Sequence, residues 1–121
     1  MKIIASKKNA WQPADPKTFT GNARMKRMGG GDTPGNIRLY LVAFEAGART
    51  HWHEHTGLQV LYVVKGTCRV QKWGGPITEV NEGGIVLIEP GEKHWHGAGD
   101  QAITHLAVNI NSETRWLEAA E

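Results

Sequence analysis

Apolar and polar residues alternate with a period of two along most of this chain, and a helical stripe is nearly absent. Successive side chains of a strand point to opposite faces, so the alternation predicts many short strands. Ile37–Phe44 is apolar on both faces after Arg38, which requires a second sheet on one side and other cover on the second, such as another subunit. Strands follow at 59–64, 67–73, Ile77–Val80 and Ile85–Ile88, separated by Lys65-Gly66, Gly74-Gly75-Pro76 and Asn81-Glu82-Gly83-Gly84. Glu89-Pro90-Gly91 then turns the chain, with proline pre-setting φ and glycine free to take positive φ. Residues 102–110 put Ile103, His105, Ala107 and Asn109 on one face and Thr104, Leu106, Val108 and Ile110 on the other. A polar, uncharged inner face opposite an apolar outer one suits a barrel with a wet pocket inside an oligomer.

The two ends carry weaker patterns. Residues 1–35 are expected to wrap the domain, with Lys2-Ile3-Ile4 and Thr18-Phe19-Thr20 as short strands and Pro13 and Pro16 favouring a surface course. The run from Gly29 to Gly35 is the strongest loop signal, and without a G-x-x-x-x-G-K-[ST] pattern or a following helix it is no phosphate cradle. Ser112 is placed to cap a short C-terminal helix through Trp116 and Leu117. A chain of 121 residues fits a single domain, with the barrel core expected over 36–111.

Charge narrows the partners. Fourteen Lys and Arg against twelve Asp and Glu leave a formal charge of +2, with no basic block beyond Lys7-Lys8, so no nucleic-acid partner is expected. No apolar run approaches membrane-spanning length, and Met1-Lys2-Ile3-Ile4-Ala5 is too short for a signal sequence. The lone Cys68 cannot form an internal disulfide and reads as a small buried strand residue. These features predict a soluble cytoplasmic protein with no membrane partner.

The chemistry concentrates between Gly47 and Gly66. His51, His53 and His55 fall on one strand face, and Gln59, Leu61 and Val63 can share a face of the next strand. Two imidazoles at i and i+2 can reach one metal ion, and His94-Trp95-His96 repeats the arrangement. A lone strand histidine is ordinarily a satisfied polar residue, but a cluster signals a metal site. Trp52 and Trp95 point away from their neighbouring histidines and are expected to pack.

The spacing resembles that of the cupin family. The first cupin motif, G-x5-H-x-H-x3,4-E-x6-G, corresponds to Gly47, His53, His55, Gln59 and Gly66, with glutamine in place of glutamate. The second, G-x5-P-x-G-x2-H-x3-N, is kept in part as Gly83, Gly91 and His94, while Glu89 stands where proline is expected and Ala98 where asparagine is. A nearer likeness is to the small bacterial cupins typified by manganese-dependent hydroxynitrile lyases, carried by residues 44–50, 52–55, 74–76, 90–98 and 104–107. The resemblance implies an all-β double-stranded β-helix, or jelly-roll barrel, often dimeric. It implies His53, His55, Gln59 and His94 as metal ligands, His96 and His105 as acid and base, and Tyr40, Val42 and Asn109 as pocket walls. His51 and the bulky Tyr40 depart from those enzymes, and Tyr40 would narrow the cavity.

Three neutral imidazoles and a neutral amide leave a dication's charge uncompensated, which strengthens it as a Lewis acid. One divalent transition metal is therefore expected, manganese first, with iron, zinc, nickel or cobalt also compatible with imidazole donors. The leading expectation is lyase chemistry on a small-molecule substrate, cyanohydrin cleavage to an aldehyde and HCN. An iron-dependent dioxygenase, a polyketide-cyclase-like cupin and a non-catalytic ligand-binding cupin are the alternatives. The doubly apolar strands predict a homodimer or higher homo-oligomer.

Overall fold

A computed structural model describes residues 1–5, 9–29 and 34–121. Its strands are β1 (Gln12–Pro13), β2 (Phe19–Thr20), β3 (Ala23–Gly29), β4 (Ile37–Phe44), β5 (Arg49–Thr50), β6 (His53–His55) and β7 (Leu58–Lys65). They continue as β8 (Cys68–Lys72), β9 (Ile77–Val80), β10 (Ile85–Ile88), β11 (His94–Ala98), β12 (Ile103–Ile110) and β13 (Thr114–Trp116). Their pairings are antiparallel and build the two sheets of a jelly-roll barrel. One sheet has the order β1-β3-β4-β12-β7-β10; the other runs β13-β6-β11-β5-β2, with β8 and β9 joined through β11.

Period-two patterning explains which side chains enter the barrel. Strand β12 is central to its sheet, paired with β4 from Ile103 opposite Phe44 to Ile110 opposite Ile37, and with β7 on its other edge. Ile103, His105, Ala107 and Asn109 are buried, while Thr104, Leu106 and Val108 are half-buried and Ile110 is exposed. One end of the interior is apolar, filled by Phe19, Val42, Phe44, Val63, Cys68 and Ile103. Burial pushes the Cys68 thiol up to about 12, so it is inert filling. Trp52 and Trp95 pack with Ala120 in a separate cluster, as their alternation with histidines predicts.

Local backbone rules place the histidine strands. Gly91, at φ 78°, closes the turn that delivers His94. At Gly97 a Cβ would lie 2.5 Å from the Ala48 carbonyl oxygen, so glycine is what lets β11 close against β5.

The ends of the chain differ from expectation. No helix forms at the C-terminus. Residues 114–116 pair instead with β6, Thr114 opposite His55 and Trp116 opposite His53, because the edge of β6 offers backbone groups that a strand satisfies. Ser112 does accept a backbone amide, but from Gly57 across the turn, at 3.1 Å. Lys2-Ile3-Ile4 forms no strand, and Ile3 is 84% exposed. The first segment nonetheless supplies strands to both sheets, through β1 and β3 to one and β2 to the other. Of the glycine-rich loop, residues 30–33 lie outside the described residues; Pro34–Asn36 form a 3-10 turn. Among the described residues no helix is long and apolar enough to cross a membrane.

Candidate metal centre

Five histidines converge inside the barrel, and their neighbours decide which nitrogen each presents. The Nδ1–H of His53 donates to the carbonyl oxygen of His51 at 2.8 Å, and that of His94 donates to the carbonyl oxygen of Glu92 at 2.8 Å. A carbonyl oxygen only accepts, so a neutral ring at either position carries its lone pair on Nε2. Nδ1 of His55 lies 2.9 Å from Thr114 Oγ1. Nε2 of His55 and Nε2 of His94 stand 3.0 Å and 3.3 Å from the same atom, Gln59 Oε1. The amide of Gln59 is itself oriented by donation from Nε2 to Asn109 Oδ1 at 2.8 Å, which turns its oxygen toward the imidazoles.

Burial keeps these rings neutral. Desolvation, then the charge of His94, hold His53 well below the ordinary histidine value. Desolvation likewise lowers His94 and brings His55 and His105 down to about 4. His96 is held well below the ordinary value, first by desolvation and then by His105. The Nε2 of a neutral His94 therefore faces the Gln59 oxygen lone pair to lone pair, an arrangement that a cation between them relieves. Ring nitrogens of His53, His94 and His96 all lie within 4.8 Å of one another. The donor set fits a divalent transition metal: buried neutral imidazoles and an amide oxygen, each aimed by a second hydrogen bond.

The sequence-predicted residues fall as follows. His53, His55, Gln59, His96 and His105 line a cavity of about 480 Å³, as do Tyr40, Val42 and Asn109. His94 approaches the same cluster from β11, through Gln59 Oε1. His96 and His105 touch, Nδ1 to Nε2 at 2.9 Å, with Phe44 5.2 Å from the His105 ring. Nε2 of His96 is buried and has no hydrogen-bond partner. Ring distances thus group His96 with His53 and His94, whereas Gln59 joins His55 to His94. The His51 side chain does not share the cavity with His53 and His55, because the strand breaks between β5 and β6; its carbonyl oxygen instead orients His53.

Several wall residues escaped sequence reasoning. Thr114 orients His55, and Trp116 lies 4.5 Å from the His53 ring. Their one-apart spacing was the available signal, masked by the apparent helix cap at Ser112. Thr18, Phe19 and Met25 also reach the cavity from the first segment, as does Arg38 from β4.

Comparison with known proteins agrees with this architecture. The Cupin domain family model matches residues 40–109. The chain is 38% identical over 122 residues to an (R)-mandelonitrile lyase of Granulicella tundricola, covering 98% of this chain and 92% of that one. It superposes on a cupin-like protein from Thermotoga maritima with a TM-score of 0.85 at 35% identity, covering 90% of this chain and 86% of the other. A cupin 2 conserved barrel domain protein from Rhodopseudomonas palustris shares the fold alone, with a TM-score of 0.75 at 15% identity over 89% of this chain and 77% of that one. With histidine-lined strands inside a jelly-roll barrel and a family match across its core, this chain belongs to the cupin family.

Proposed function

We propose that this cupin is a metal-dependent lyase that cleaves cyanohydrins, such as mandelonitrile, reversibly to an aldehyde and HCN. The observation that carries the reading is the convergence of buried, neutral His55 and His94 on one amide oxygen, with a ring nitrogen of His53 within 4.8 Å of that of His94, beside a second histidine pair at the same cavity. Likeness to an (R)-mandelonitrile lyase supplies the substrate class. His53, His55, Gln59 and His94 would hold one divalent metal, manganese first, whose contribution when bound is Lewis acidity toward a substrate oxygen.

The chain's own residues then handle the proton. The unpartnered Nε2 of His96 takes it from the substrate hydroxyl while Nδ1 shares a hydrogen bond with His105, which steadies the imidazolium. The C–C bond breaks, its electron pair leaves with cyanide, and the hydroxyl carbon becomes the aldehyde carbonyl. The same imidazolium returns the proton to cyanide as HCN. Tyr40, Val42 and Asn109 bound the space left for the substrate's side group.

Benzaldehyde release from mandelonitrile, followed by absorbance with and without chelator, tests the reading. Cleavage should need added metal and proceed unchanged without oxygen. Failure on every cyanohydrin, with turnover of a keto or aldehyde substrate, sinks the cyanohydrin assignment and leaves the metal centre. Oxygen consumption dependent on ferrous iron would replace it with a dioxygenase. His96→Ala should keep its metal and lose turnover; loss of the metal would make His96 a ligand.

The apolar outer face of the β4-β12-β7-β10 sheet supports a homodimer. Ile85 and Leu87 of β10 are 61% and 65% exposed, beside Tyr62, Val64 and Ile110. These five side chains expose on the order of 400–500 Å², near the top of the range for a monomer's largest apolar patch. With half-buried Leu41, Leu106 and Val108 between them, the face approaches the ~800 Å² per partner of a stable interface. A monomer by light scattering at micromolar concentration would dismiss the dimer.

A further inference from the structure

Arg38 stands in the inward-facing row of β4 with Tyr40 and Val42, and it lines the histidine cavity. It is the only lysine or arginine among the described residues on that wall. Its Nε is buried without a hydrogen-bond partner, and none of the ion pairs among the described residues involves it. The other charged wall residue, Asp15, is exposed, and its Oδ1 accepts the Lys17 amide at 2.9 Å. A guanidinium keeps its charge at any relevant pH, so a buried N–H without an acceptor is a cost that an anionic ligand would remove.

The register fixes where such a ligand would lie. Arg38, Asn109 and Gln59 are direct neighbours across β4, β12 and β7. Two strand spacings, about 10 Å, therefore separate the backbones of Arg38 and Gln59. The side chains of both Arg38 and Gln59 line the same cavity, so one small ligand there can meet both. Phe19, Met25, Val42 and Trp116 supply apolar wall to the same cavity.

We propose that Arg38 anchors a carboxylate, making a small carboxylic acid with an oxygen on the neighbouring carbon and an apolar substituent a ligand class of this cavity. A fork of parallel N–H donors matches the two carboxylate oxygens, which a neutral cyanohydrin lacks. The carboxylate anchor goes beyond the cyanohydrin reading and does not depend on it. Only the placement of the second oxygen toward His53, His94 and Gln59 rests on the proposed metal centre.

Calorimetric titration with mandelate and with its neutral amide, mandelamide, tests the anchor on chelator-treated and on manganese-loaded protein. Chelator-treated protein should bind mandelate at least tenfold more tightly than mandelamide. Arg38→Gln should abolish that preference, weakening mandelate by about tenfold to a hundredfold, while Arg38→Lys keeps part of it. Equal affinity for the acid and the amide, or unchanged mandelate binding by Arg38→Gln, overturns the proposal. Should Arg38→Gln fail to fold, the acid-against-amide comparison on the unaltered chain and the lysine variant still decide. A chain that prefers mandelate but cleaves no cyanohydrin keeps the anchor and loses the lyase; one that cleaves mandelonitrile without the preference does the reverse.

Discussion

The inner and outer rows of one sheet invert the usual rule for a small protein. On the inner side of β7 and β12, Gln59, His105 and Asn109 are polar and almost fully buried, at 3%, 0% and 8% exposure. On the outer side, Tyr62 and Val64 of the same β7 are apolar and more than 40% exposed, and Leu87 of β10 reaches 65%. Buried polar groups cost free energy unless partnered, and exposed apolar groups forfeit about 25 cal/mol per Å² that burial would return. Both departures sit on alternate residues of the same strands, so the sheet separates two tasks by its pleat. The inner row gathers the polar side chains of the proposed site, and the outer row carries the apolar face on which the proposed homodimer would form.

The strongest way to break the inner row is to remove two of its imidazoles. In His53→Ala/His94→Ala the metal content should fall from about one per chain to nearly none, with mandelonitrile cleavage down at least ~100-fold, since these rings present the Nε2 lone pairs. Elemental analysis beside a cleavage assay checks both. A double variant with full metal content would relocate the site.

The outer row should break at its most exposed point. Leu87→Glu with Ile85→Glu puts like charges on both sides of a two-fold contact and should convert a dimer to a monomer, weakening association at least ~100-fold. Size-exclusion with light scattering reads the change, and metal content should stay as it was. Loss of the metal with the dimer would mean that the two faces are not independent.

Acid attacks the inner row. His55 and His105 have folded values of about 4 against 6.5 unfolded, so between those limits the unfolded chain binds more protons than the folded one. The chelator-treated protein should therefore lose stability as the pH falls from 6.5 toward 4, by about 1.4 kcal/mol per pH unit for each such histidine. Urea unfolding at half-unit steps measures the slope. A flat profile across that window would mean that the rings are solvated.

The smallest change sharpens the chemistry. Gln59→Glu keeps the shape but adds a negative charge among neutral donors, so metal should be held more tightly while turnover drops by about tenfold as Lewis acidity is cancelled. Competition with a fluorescent chelator and steady-state rates separate the two effects. Tighter metal with unchanged turnover would show that the neutral amide has no catalytic purpose.

Much of this was legible from residue order because strand alternation is a local rule. Ile103, His105, Ala107 and Asn109 could be assigned to one face before any fold was known, and so could the packing role of Trp52 and Trp95. The same rule put His53 and His55 on one face, and the match of Gly47, His53, His55, Gln59 and Gly66 to the cupin motif then implied that Gln59 joins them. Residues joined across long stretches of chain were not legible in this way. Ser112 looks like a helix cap in one dimension, yet its hydroxyl meets Gly57 and the next residues complete the edge of β6. Nor could alternation show that the strand breaks after Thr50 and turns His51 away from its neighbours.

The sequence by itself determined the two-faced strands and the histidine pairs 53/55 and 94/96, since these depend on the period of two and on residue type, while the jelly-roll barrel and the shared site were implied by the likeness to the cupin motifs. Only the folded backbone showed which nitrogen His53 and His94 present, because the carbonyl oxygens of His51 and Glu92, two residues before each, must turn back onto Nδ1, and only the tertiary structure brought the Thr114 hydroxyl to His55. It alone brought Arg38 level with Asn109 and Gln59, through a register between strands far apart in the chain. Pairing register is a property of strands in contact, and no single strand carries it.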